Sequence, residues 1–408
     1  MSSAPASVGP PRQELLADLA AEFATTAAEH DRTGTFPAAN LVRLHEAGLV
    51  GLTVPVAYGG GDADLSTVVD VLAAIARGDP ATALVLAMTY LAHARPSRGA
   101  GWPEPAYARI ARSTVDEGAM VNHLRVEPDL GTPARGGLPA TTARWTGDGW
   151  ELTGHKIYST GAPVLRWMLV WGATDPASDP GADRSGNPAA PDGPVSAEPR
   201  VGTFLVPADA PGIEIVRTWD HLGMRATESH DVVFDRVYLD ADAAVGLTPV
   251  SGLQDLAAAG SMIAAWGGLA ISAIYLGVAE AARDWLIGFL HERVPSNLGK
   301  PLASLPRFQT AVGEIDVTLT TARMLVETTA RDVDTGDVAA AARGNAVKST
   351  VTNAAINAVG AAVALIGNPG LTRTNPLERH YRNVLCARVH TPQDDAVHAA
   401  AGRALLVR

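Results

Sequence analysis

The hydrophobic periodicity of this chain changes twice, and these changes constrain its fold more than any other feature of the sequence. Up to about residue 118, apolar residues recur at the spacing of an amphipathic helix. Between about 121 and 243 the apolar runs are short and alternate with polar residues, as in half-buried strands. From about 252 the helical spacing returns. Helices, then strands, then helices predict an α+β protein with segregated domains rather than an alternating β-α-β chain.

The first helical region divides into four predicted helices. One covers 14–30, a second begins near Pro37, a third begins at Ser66 and a fourth ends at Ala94. Proline suits a first helical turn, where its missing N–H has no partner to lose, and serine is favoured at a helix start. The sequence therefore predicts an N-terminal helical domain over 1–118.

The middle region is predicted to form strands. Its clearest alternating runs lie at 150–152, 167–171, 202–206 and 232–239. One insert, 174–200, is rich in Pro, Gly, Ala and Asp, and such a segment cannot bury enough apolar surface to become ordered. We predict a central β domain over 119–243 in which this insert is a mobile surface loop.

The last region is predicted to be a helical domain over 244–408. Its candidate helices lie at 276–290, 305–334, 339–366 and 393–406. An uncharged stretch, 256–279, is long enough to cross a bilayer of about 30 Å. Because it is rich in Ala, Gly and Ser and only weakly hydrophobic, we predict a helix buried inside a soluble helical domain and expect no membrane span.

Charge and composition exclude several kinds of partner. The net charge is -11 and no Lys/Arg cluster stands out, whereas a nucleic-acid-binding protein needs a basic face against the phosphates. Cys386 is the only cysteine, which excludes an internal disulfide and the Cys/His spacings of metal sites. No G-x-G-x-x-G turn joins a strand to a helix, and no P-loop is present. Residues 1–11 lack the basic patch and apolar run of a signal peptide, so we expect a cytoplasmic protein.

Four segments resemble motifs of the acyl-CoA dehydrogenase family, in the family's order and across nearly the whole chain. The T-E-P-x-x-G-S loop is matched by 126–132 (VEPDLGT), and the G-x-K-x-W-I-T segment by 154–161 (GHKIYSTG). The L-G-M-R-x-S-x-T segment is matched by 222–229 (LGMRATES), and the Y-P-x-E-R-x-x-R-D run by 375–383 (NPLERHYRN). Each motif alone is moderate support for the resemblance, and all four in order are strong support.

The resemblance implies the architecture and the cofactor of the family. The fold would have an N-terminal helical domain, a small central β-barrel domain and a C-terminal four-helix bundle, with FAD between the last two, in a homotetramer or homodimer. Thr132 matches the hydroxyl residue that reaches the pyrophosphate. Tyr158 replaces the Trp beside the isoalloxazine ring, and Thr160 matches the Thr at its polar edge. Arg293 resembles the arginine that a neighbouring subunit offers the cofactor. An electron-poor flavin ring suits such an aromatic wall with polar donors and cationic groups.

Two departures from the family pattern widen the range of expected cofactors. The family's R-x-x-F-G is here Arg293 with a changed spacing to Gly299. The Gln before the F-G-G turn is Ala364, and the turn itself, 367–370, is GNPG. These changes predict looser flavin binding, or FMN in place of FAD.

The catalytic carboxylate of the family is missing from both positions at which members carry it. Dehydrogenation removes an α-proton while hydride passes to the flavin, and a general base contributes typically about 10²–10⁴-fold. Counting on from the R-D run places His390 at the Tyr and Thr391 at the Glu of the family's Y-E-G-T loop. The other position, on the helix before L-G-L, is Gly267. Asp394 or Asp395 could replace the base, although acidic residues are also favoured in a first helical turn, here with Thr391 as the N-cap.

The same loop is more similar to that of flavin monooxygenases of this fold, such as dibenzothiophene monooxygenase. Their R-N-x-R-T-x-S-L-H-D-P is matched by 382–392 (RNVLCARVHTP), with His390 and Pro392 aligned. Those enzymes take reduced flavin from a separate reductase and form a flavin hydroperoxide in a dry pocket, which needs a hydrogen-bond donor and no carboxylate. His390 is the predicted donor, and Ser159 and Tyr90 are further catalytic candidates.

Three functions are therefore to be compared. The first is a flavin-dependent oxidoreductase of the monooxygenase type that acts on a small organic substrate. The second is a divergent acyl-CoA dehydrogenase with a relocated carboxylate base. The third is a catalytically silent member that acts as a binding partner, because lost bases and altered cofactor motifs are what such a protein would have.

Overall fold

The computed structural model describes residues 13–94, 102–132, 137–181, 198–252 and 261–407. Within these ranges the chain forms five α-helices, then eight strands, then five α-helices, which is the order that the periodicity predicts. The centre of the predicted insert, 182–197, lies outside the described residues. So does the segment 1–11, for which the sequence predicts no signal peptide.

Two of the five N-terminal helices begin at aspartate caps. The five helices are α1 (Gln13–Thr33), α2 (Ala38–Glu46), α3 (Leu65–Gly78), α4 (Pro80–His93) and α5 (Glu104–Glu117). The predicted start of α3 at Ser66 is wrong, because the side chain of Asp64 caps this helix by accepting a hydrogen bond from the Thr67 N–H. Asp79 caps α4 in the same way. Helix α4 is buried along most of its length and packs against both the first strand and the C-terminal helices.

The strands form a single sheet that holds the four predicted alternating runs. They are β1 (Met120–Leu124), β2 (Thr142–Trp145), β3 (Gly149–Lys156), β4 (Leu165–Thr174), β5 (Arg200–Pro207), β6 (Ile213–Val216), β7 (Asp231–Asp240) and β8 (Ala244–Pro249). The sheet order is β6-β7-β3-β2-β4-β5-β8, with β1 paired to β4. Because β8 pairs with β5, the sheet continues to Pro249, past the domain boundary predicted at residue 243.

The pairing of β3 with β7 places two motif segments side by side. These strands are antiparallel, and Lys156 at the end of β3 lies opposite Val232 at the start of β7. The chain therefore leaves β3 and enters β7 at the same end of the sheet. The segment 157–161 and the segment 224–230 belong to two different motifs, and the sheet brings them together.

The C-terminal region is helical, as predicted. Its helices are α6 (Ser261–Glu292), α7 (Pro306–Asp334), α8 (Val338–Ile366), α9 (Pro376–Leu385) and α10 (Asp394–Leu406). Helices α6, α7 and α8 pack against one another, α9 packs against α6 and α8, and α10 packs against α8. By length and composition, α6 and α8 could each cross a membrane. The most apolar window of α6 is 78% buried inside the protein, which agrees with the buried helix predicted for 256–279 over the part described.

Helices α6 and α8 cross closely at glycines. A Cβ added at Gly268 would lie 3.3 Å from the carbonyl oxygen of Gly344 and 3.4 Å from Cβ of Lys348. Only small residues allow the two backbones to approach so closely. Tyr275 lies two turns further along α6, on the same face as Gly268. The crossing therefore holds Lys348 and Tyr275 at one interface, and both side chains are almost completely buried.

Candidate active site

The two motif segments at the end of β3 and the start of β7 are joined by main-chain hydrogen bonds. The N–H of Ser159 donates to the carbonyl of His230 at 3.1 Å, and the N–H of Gly161 donates to the carbonyl of Thr227 at 2.9 Å. We call residues 158–161 and 227–230 the β-domain ledge. Because main-chain bonds fix its shape, the side chains on the ledge are held in defined positions.

The ledge carries a connected set of hydroxyl groups. Ser229 donates to the hydroxyl of Thr160 at 3.1 Å, and the hydroxyls of Ser229 and Thr227 lie 2.7 Å apart. The carbonyl of Thr160 accepts from the side chain of Asn122 on β1 at 3.0 Å. Since the Thr160 hydroxyl accepts in this arrangement, its own proton can be donated to a ligand. The predicted role of Thr160 at the polar edge of a flat ring requires such a proton and stays a prediction.

Ser159 has a buried hydroxyl whose hydrogen-bonding capacity is unused. Its side chain is 2% exposed, and its Oγ has no hydrogen-bond partner among the described residues. A buried hydroxyl without a partner costs free energy, typically about 1–3 kcal/mol. A polar ligand atom seated on the ledge would satisfy it. This unpaired group is the local observation that fits a bound cofactor.

An aromatic surface lies beside the ledge. The ring of Tyr158 is 55% exposed and meets the rings of Trp219 and His221 edge-on, at centroid distances of 6.3 and 6.0 Å. Trp219 and His221 are stacked at 3.6 Å. Tyr158 has a φ of 56°, which is strained for an aromatic residue and keeps its ring at the surface. We call Tyr158, Trp219 and His221 the aromatic face, and it can serve as the wall for a flat ring.

Two further motif residues hold each other inside the β domain. The Lys156 ammonium donates to the Glu127 carboxylate at 2.6 Å, and both side chains are almost completely buried. Glu127 also accepts hydrogen bonds from the main chain of Ala140 and Thr141. Lys156 and these hydrogen bonds lower the pKa of Glu127, although burial opposes them. The pair fixes the turn that leads to Thr132, so Glu127 and Lys156 are structural residues of the motifs.

On the helical side, His390 is held from two directions. Its Nε2 lies 2.7 Å from the Tyr275 hydroxyl on α6. The Lys348 ammonium on α8 donates to the carbonyl of His390 at 2.9 Å and to that of Pro392 at 3.0 Å. We call residues 386–394 the His390 loop. Neither of the buried side chains that hold it was among the predicted site residues.

The electrostatics of this pair assign the proton on His390. Burial, assisted by the positive charge of Lys348, lowers the pKa of His390 to about 4, so the imidazole is neutral at neutral pH. Burial raises the pKa of Tyr275 well above its usual value, so the phenol keeps its proton. Among the described residues the Tyr275 hydroxyl has no other hydrogen-bond acceptor, so it donates to Nε2 and leaves the imidazole proton on Nδ1. His390 is then a neutral donor through Nδ1–H.

The two positions at which the sequence predicts a missing base, Thr391 and Gly267, lie at the surface and in open space. Thr391 is exposed, and a Cβ added at Gly267 would meet no atom within 4 Å, so that position is open space. Asp394 accepts a hydrogen bond from Asn353 at 2.7 Å, and hydrogen bonds and the charge of Lys348 lower its pKa against the effect of burial. Asp395 is exposed. The predicted N-cap role of Thr391 is wrong, because Gln393 precedes the first residue of α10.

The remaining predicted site residues lie elsewhere. The Tyr90 hydroxyl donates to the carbonyl of Leu49 at 2.7 Å, so its proton is engaged within the N-terminal helical region. Arg293 is exposed just after α6, and its main chain bonds with Phe289 and Leu302. Thr132 is half-buried at the end of the turn closed by Glu127. The catalytic or cofactor roles of these residues stay predictions.

The sequence did not predict four residues of the candidate site, which are Tyr275, Lys348, Trp219 and Ser229. Tyr275 lies within the uncharged stretch, where an aromatic residue is ordinarily a core residue. Lys348 is a charged residue on an apolar helix, and a buried lysine needs partners, which is a signal that could have been used. Trp219 precedes a motif by a few residues, and only the fold brings its ring to Tyr158.

Three family models match successive parts of this chain. The N-terminal, middle and C-terminal domains of acyl-CoA dehydrogenase match residues 11–97, 126–237 and 269–394. Putative acyl-CoA dehydrogenase YdbM of Bacillus subtilis (strain 168) is 35% identical over 402 residues, which cover 96% of each chain. L-evernosamine nitrososynthase of a Micromonospora species is 30% identical over 417 residues, which cover 96% of this chain and 89% of the relative.

Solved structures show the same fold. KijD3 in complex with FMN and dTDP-3-amino-2,3,6-trideoxy-4-keto-3-methyl-D-glucose has a TM-score of 0.78 at 27% identity, covering 100% of this chain and 97% of the other. Dibenzothiophene monooxygenase of Paenibacillus sp. A11-2 has a TM-score of 0.79 at 21% identity, with 97% of each chain covered, which supports the fold alone. The three-part fold and its ledge define a flavin-dependent oxidoreductase. The chain belongs to the acyl-CoA dehydrogenase family.

Proposed function

We propose that this protein is a flavin-dependent monooxygenase that oxygenates a small organic substrate, with His390 as the hydrogen-bond donor of the reaction. The observation that carries this proposal is the neutral His390 imidazole, held by Tyr275 at 2.7 Å in the loop where the family carries its carboxylate base. A neutral donor can stabilise a developing negative charge without removing a carbon-bound proton. The His390 loop therefore suits oxygenation better than dehydrogenation.

The ledge and the aromatic face fit the flavin that such a reaction requires. Tyr158 supplies the wall for the ring, Thr160 and Ser159 supply hydroxyls for its polar edge, and Thr132 and Arg293 are the candidates for its phosphates. When bound, reduced flavin supplies the electrons that activate dioxygen. FMN is proposed alongside FAD, because Ala364 and the altered spacing after Arg293 depart from the family's pattern for the adenosine half.

Each residue of the helical side has a separate role in this proposal. His390 donates from Nδ1 towards the reacting oxygen. Tyr275 is a positioning residue, because its hydroxyl occupies Nε2 and fixes both the ring orientation and the tautomer. Lys348 holds the loop main chain on both sides of Thr391 through the carbonyls of His390 and Pro392.

The dehydrogenase alternative has support from the 35% identical relative, and the site weakens it. A base must accept a proton at neutral pH, and the lowered pKa of Asp394 makes that carboxylate a weaker base than an ordinary aspartate. Its hydrogen bond from Asn353 further ties this carboxylate to α8. Dehydrogenation is therefore kept as an outcome of the test.

The relatives suggest an amine as the substrate class. One relative at 30% identity is a nitrososynthase of an amino sugar, and one similar structure contains FMN and a nucleotide-linked amino sugar. We include a small amine among the proposed substrates for that reason. A separate flavin reductase, assembly as a homotetramer or homodimer, and a cytoplasmic location belong to the same proposal.

The test uses protein loaded with FMN or FAD, reduced anaerobically by a flavin reductase and then mixed with oxygen and a panel of amines. We expect an oxygenated product, with little hydrogen peroxide released per reduced flavin consumed. His390→Ala removes the donor, so product should fall by about 10²-fold, within the range for one donor, and hydrogen peroxide should replace it. Mass spectrometry and a peroxide assay measure both.

The matched control is His291→Ala, which removes an exposed histidine at the end of α6 and should change neither quantity. If His390→Ala oxygenates as well as the unaltered protein, His390 has no part in the reaction. If an acyl-CoA panel bleaches the oxidised flavin without oxygen, the protein is a dehydrogenase and the proposal is wrong.

A further inference from the structure

A charged cleft lies between α1, the segment after β6 and the start of α9. Its volume is about 730 Å³, large enough for a small phosphorylated molecule. Its walls include His221 and Leu222, and His221 is also part of the aromatic face. The cleft therefore borders the candidate active site.

The start of α9 opens onto this cleft. Thr374, Asn375 and Pro376 line it, and the N-cap residue Asn375 makes no side-chain capping bond. The first N–H groups of a helix have no partner within the helix and carry a partial positive charge. Such an end binds anions when other groups of the right charge lie beside it.

Arg379 supplies that second group. It lines the cleft and is only 7% exposed, and its Nε has no hydrogen-bond partner among the described residues. Burial lowers the pKa of this guanidinium, and the nearby Asp31, Asp79 and Glu378 oppose the effect. A buried guanidinium without a hydrogen-bonded partner is expensive, and an anion in the cleft would satisfy it.

The acidic residues of the cleft are neutralised by other arginines. Asp31 and Glu378 both accept hydrogen bonds from Arg382, at 2.6–3.0 Å. Glu29 is paired with Arg32 in the same way. Arg379 therefore keeps its charge for a ligand, and the exposed Arg373 at the mouth of the cleft adds a second guanidinium.

We propose that this cleft binds the phosphate or diphosphate group of a small molecule other than the flavin. Arg379 and the N-terminus of α9 hold the anion at the bottom of the cleft, and Arg373 contacts it at the mouth. The rest of the molecule extends past His221 towards the aromatic face. This site goes beyond the oxygenation reaction, and it stands if that reaction proves wrong.

The test is titration of flavin-loaded protein with inorganic pyrophosphate, followed by calorimetry at low and high salt. We expect saturable binding that weakens as salt rises. Arg373→Ala should weaken it about 5-fold or more, and Arg379→Lys about 10-fold or more, because each loses charge-assisted hydrogen bonds. Arg343→Ala removes an exposed arginine on α8 outside the cleft and should bind as the unaltered protein does.

Arg373 is exposed, so its variant keeps the test decisive even if changes at Arg379 disturb folding. Absence of pyrophosphate binding at low salt would overturn the proposal. So would equal affinity in Arg373→Ala and Arg343→Ala. If flavin-free protein binds pyrophosphate and added FMN displaces it competitively, the cleft is the phosphate site of the flavin itself, and the separate site does not exist.

Discussion

The β-domain ledge and the His390 loop are both parts of the candidate active site, and they differ in how closely they follow the motifs of the family. On the ledge, family-like residues are fixed by main-chain bonds between two strands, and the hydroxyls of Thr160 and Ser229 are already connected. In the loop, Thr391 stands where the sequence predicts that the family's carboxylate is missing, and the neutral His390 is fixed by Tyr275 and Lys348. The difference leads us to expect that cofactor binding and the choice of reaction are separable in this fold.

The largest expected effect of a single substitution tests the buried ion pair inside the β domain. Glu127→Gln leaves the completely buried ammonium of Lys156 without its counter-charge. Breaking one partner of such a pair should lower the free energy of unfolding by about 3–5 kcal/mol, measured by urea denaturation. The control Glu151→Gln breaks a more exposed pair with Arg144 and should cost less than about 1 kcal/mol. Equal losses would mean that the buried pair has no special role.

The next effect is a loss of stability at low pH, to which His390 contributes. Burial lowers the pKa of His390 to about 4, that of His123 to about 4 and that of His380 to about 3. The unfolded chain binds protons on these residues below pH 6.5, whereas the folded protein does not. Stability is therefore present above pH 6.5 and is lost as the pH falls towards 4, with His390 contributing roughly 3 kcal/mol of this loss.

Urea denaturation between pH 7 and pH 4.5 measures this loss. His390→Gln removes one of the three groups and should make the loss of stability with acid less steep. A variant with the unaltered pH dependence would show that His390 is protonated equally easily in the folded and unfolded protein.

The smallest effects separate the two regions directly. Ser229→Ala removes the hydroxyl that donates to Thr160 and should weaken flavin binding about 5-fold, equivalent to one hydrogen bond, with the peroxide yield unchanged. Tyr275→Phe frees Nε2 of His390 and should raise the peroxide yield several-fold with flavin affinity unchanged. Fluorescence titration and the peroxide assay measure the two quantities. If both variants change both quantities, the two regions are not separable.

The domain order was predictable from the sequence because apolar residues recur every two residues in strands and every 3.6 residues in helices. These two periods are easily told apart over long segments. The residues that cap the helices were less predictable. Asp64 rather than Ser66 starts α3, and Gln393 rather than Thr391 precedes α10, because several residues near each end can cap a helix. The helix α9 was not predicted at all, since it is short and strongly polar.

The candidate site was predictable only where a motif carries it. Tyr158, Ser159 and Thr160 were found because they lie in one segment, and their partners Trp219 and Ser229 depend on the pairing of β3 with β7. His390 was found by counting along the chain. Tyr275 and Lys348 lie far from it in sequence, on apolar helices, and only the crossing of α6 and α8 brings them to the loop.

The open space at Gly267 has a consequence for engineering. A Cβ at Gly268 would press on α8, whereas one at Gly267 would meet no atom within 4 Å. Gly267 also lies in a helix, where glycine is less favourable than alanine by about 1 kcal/mol. Neither helix packing nor helix propensity therefore requires glycine at this position, so the bundle is open to substitution there.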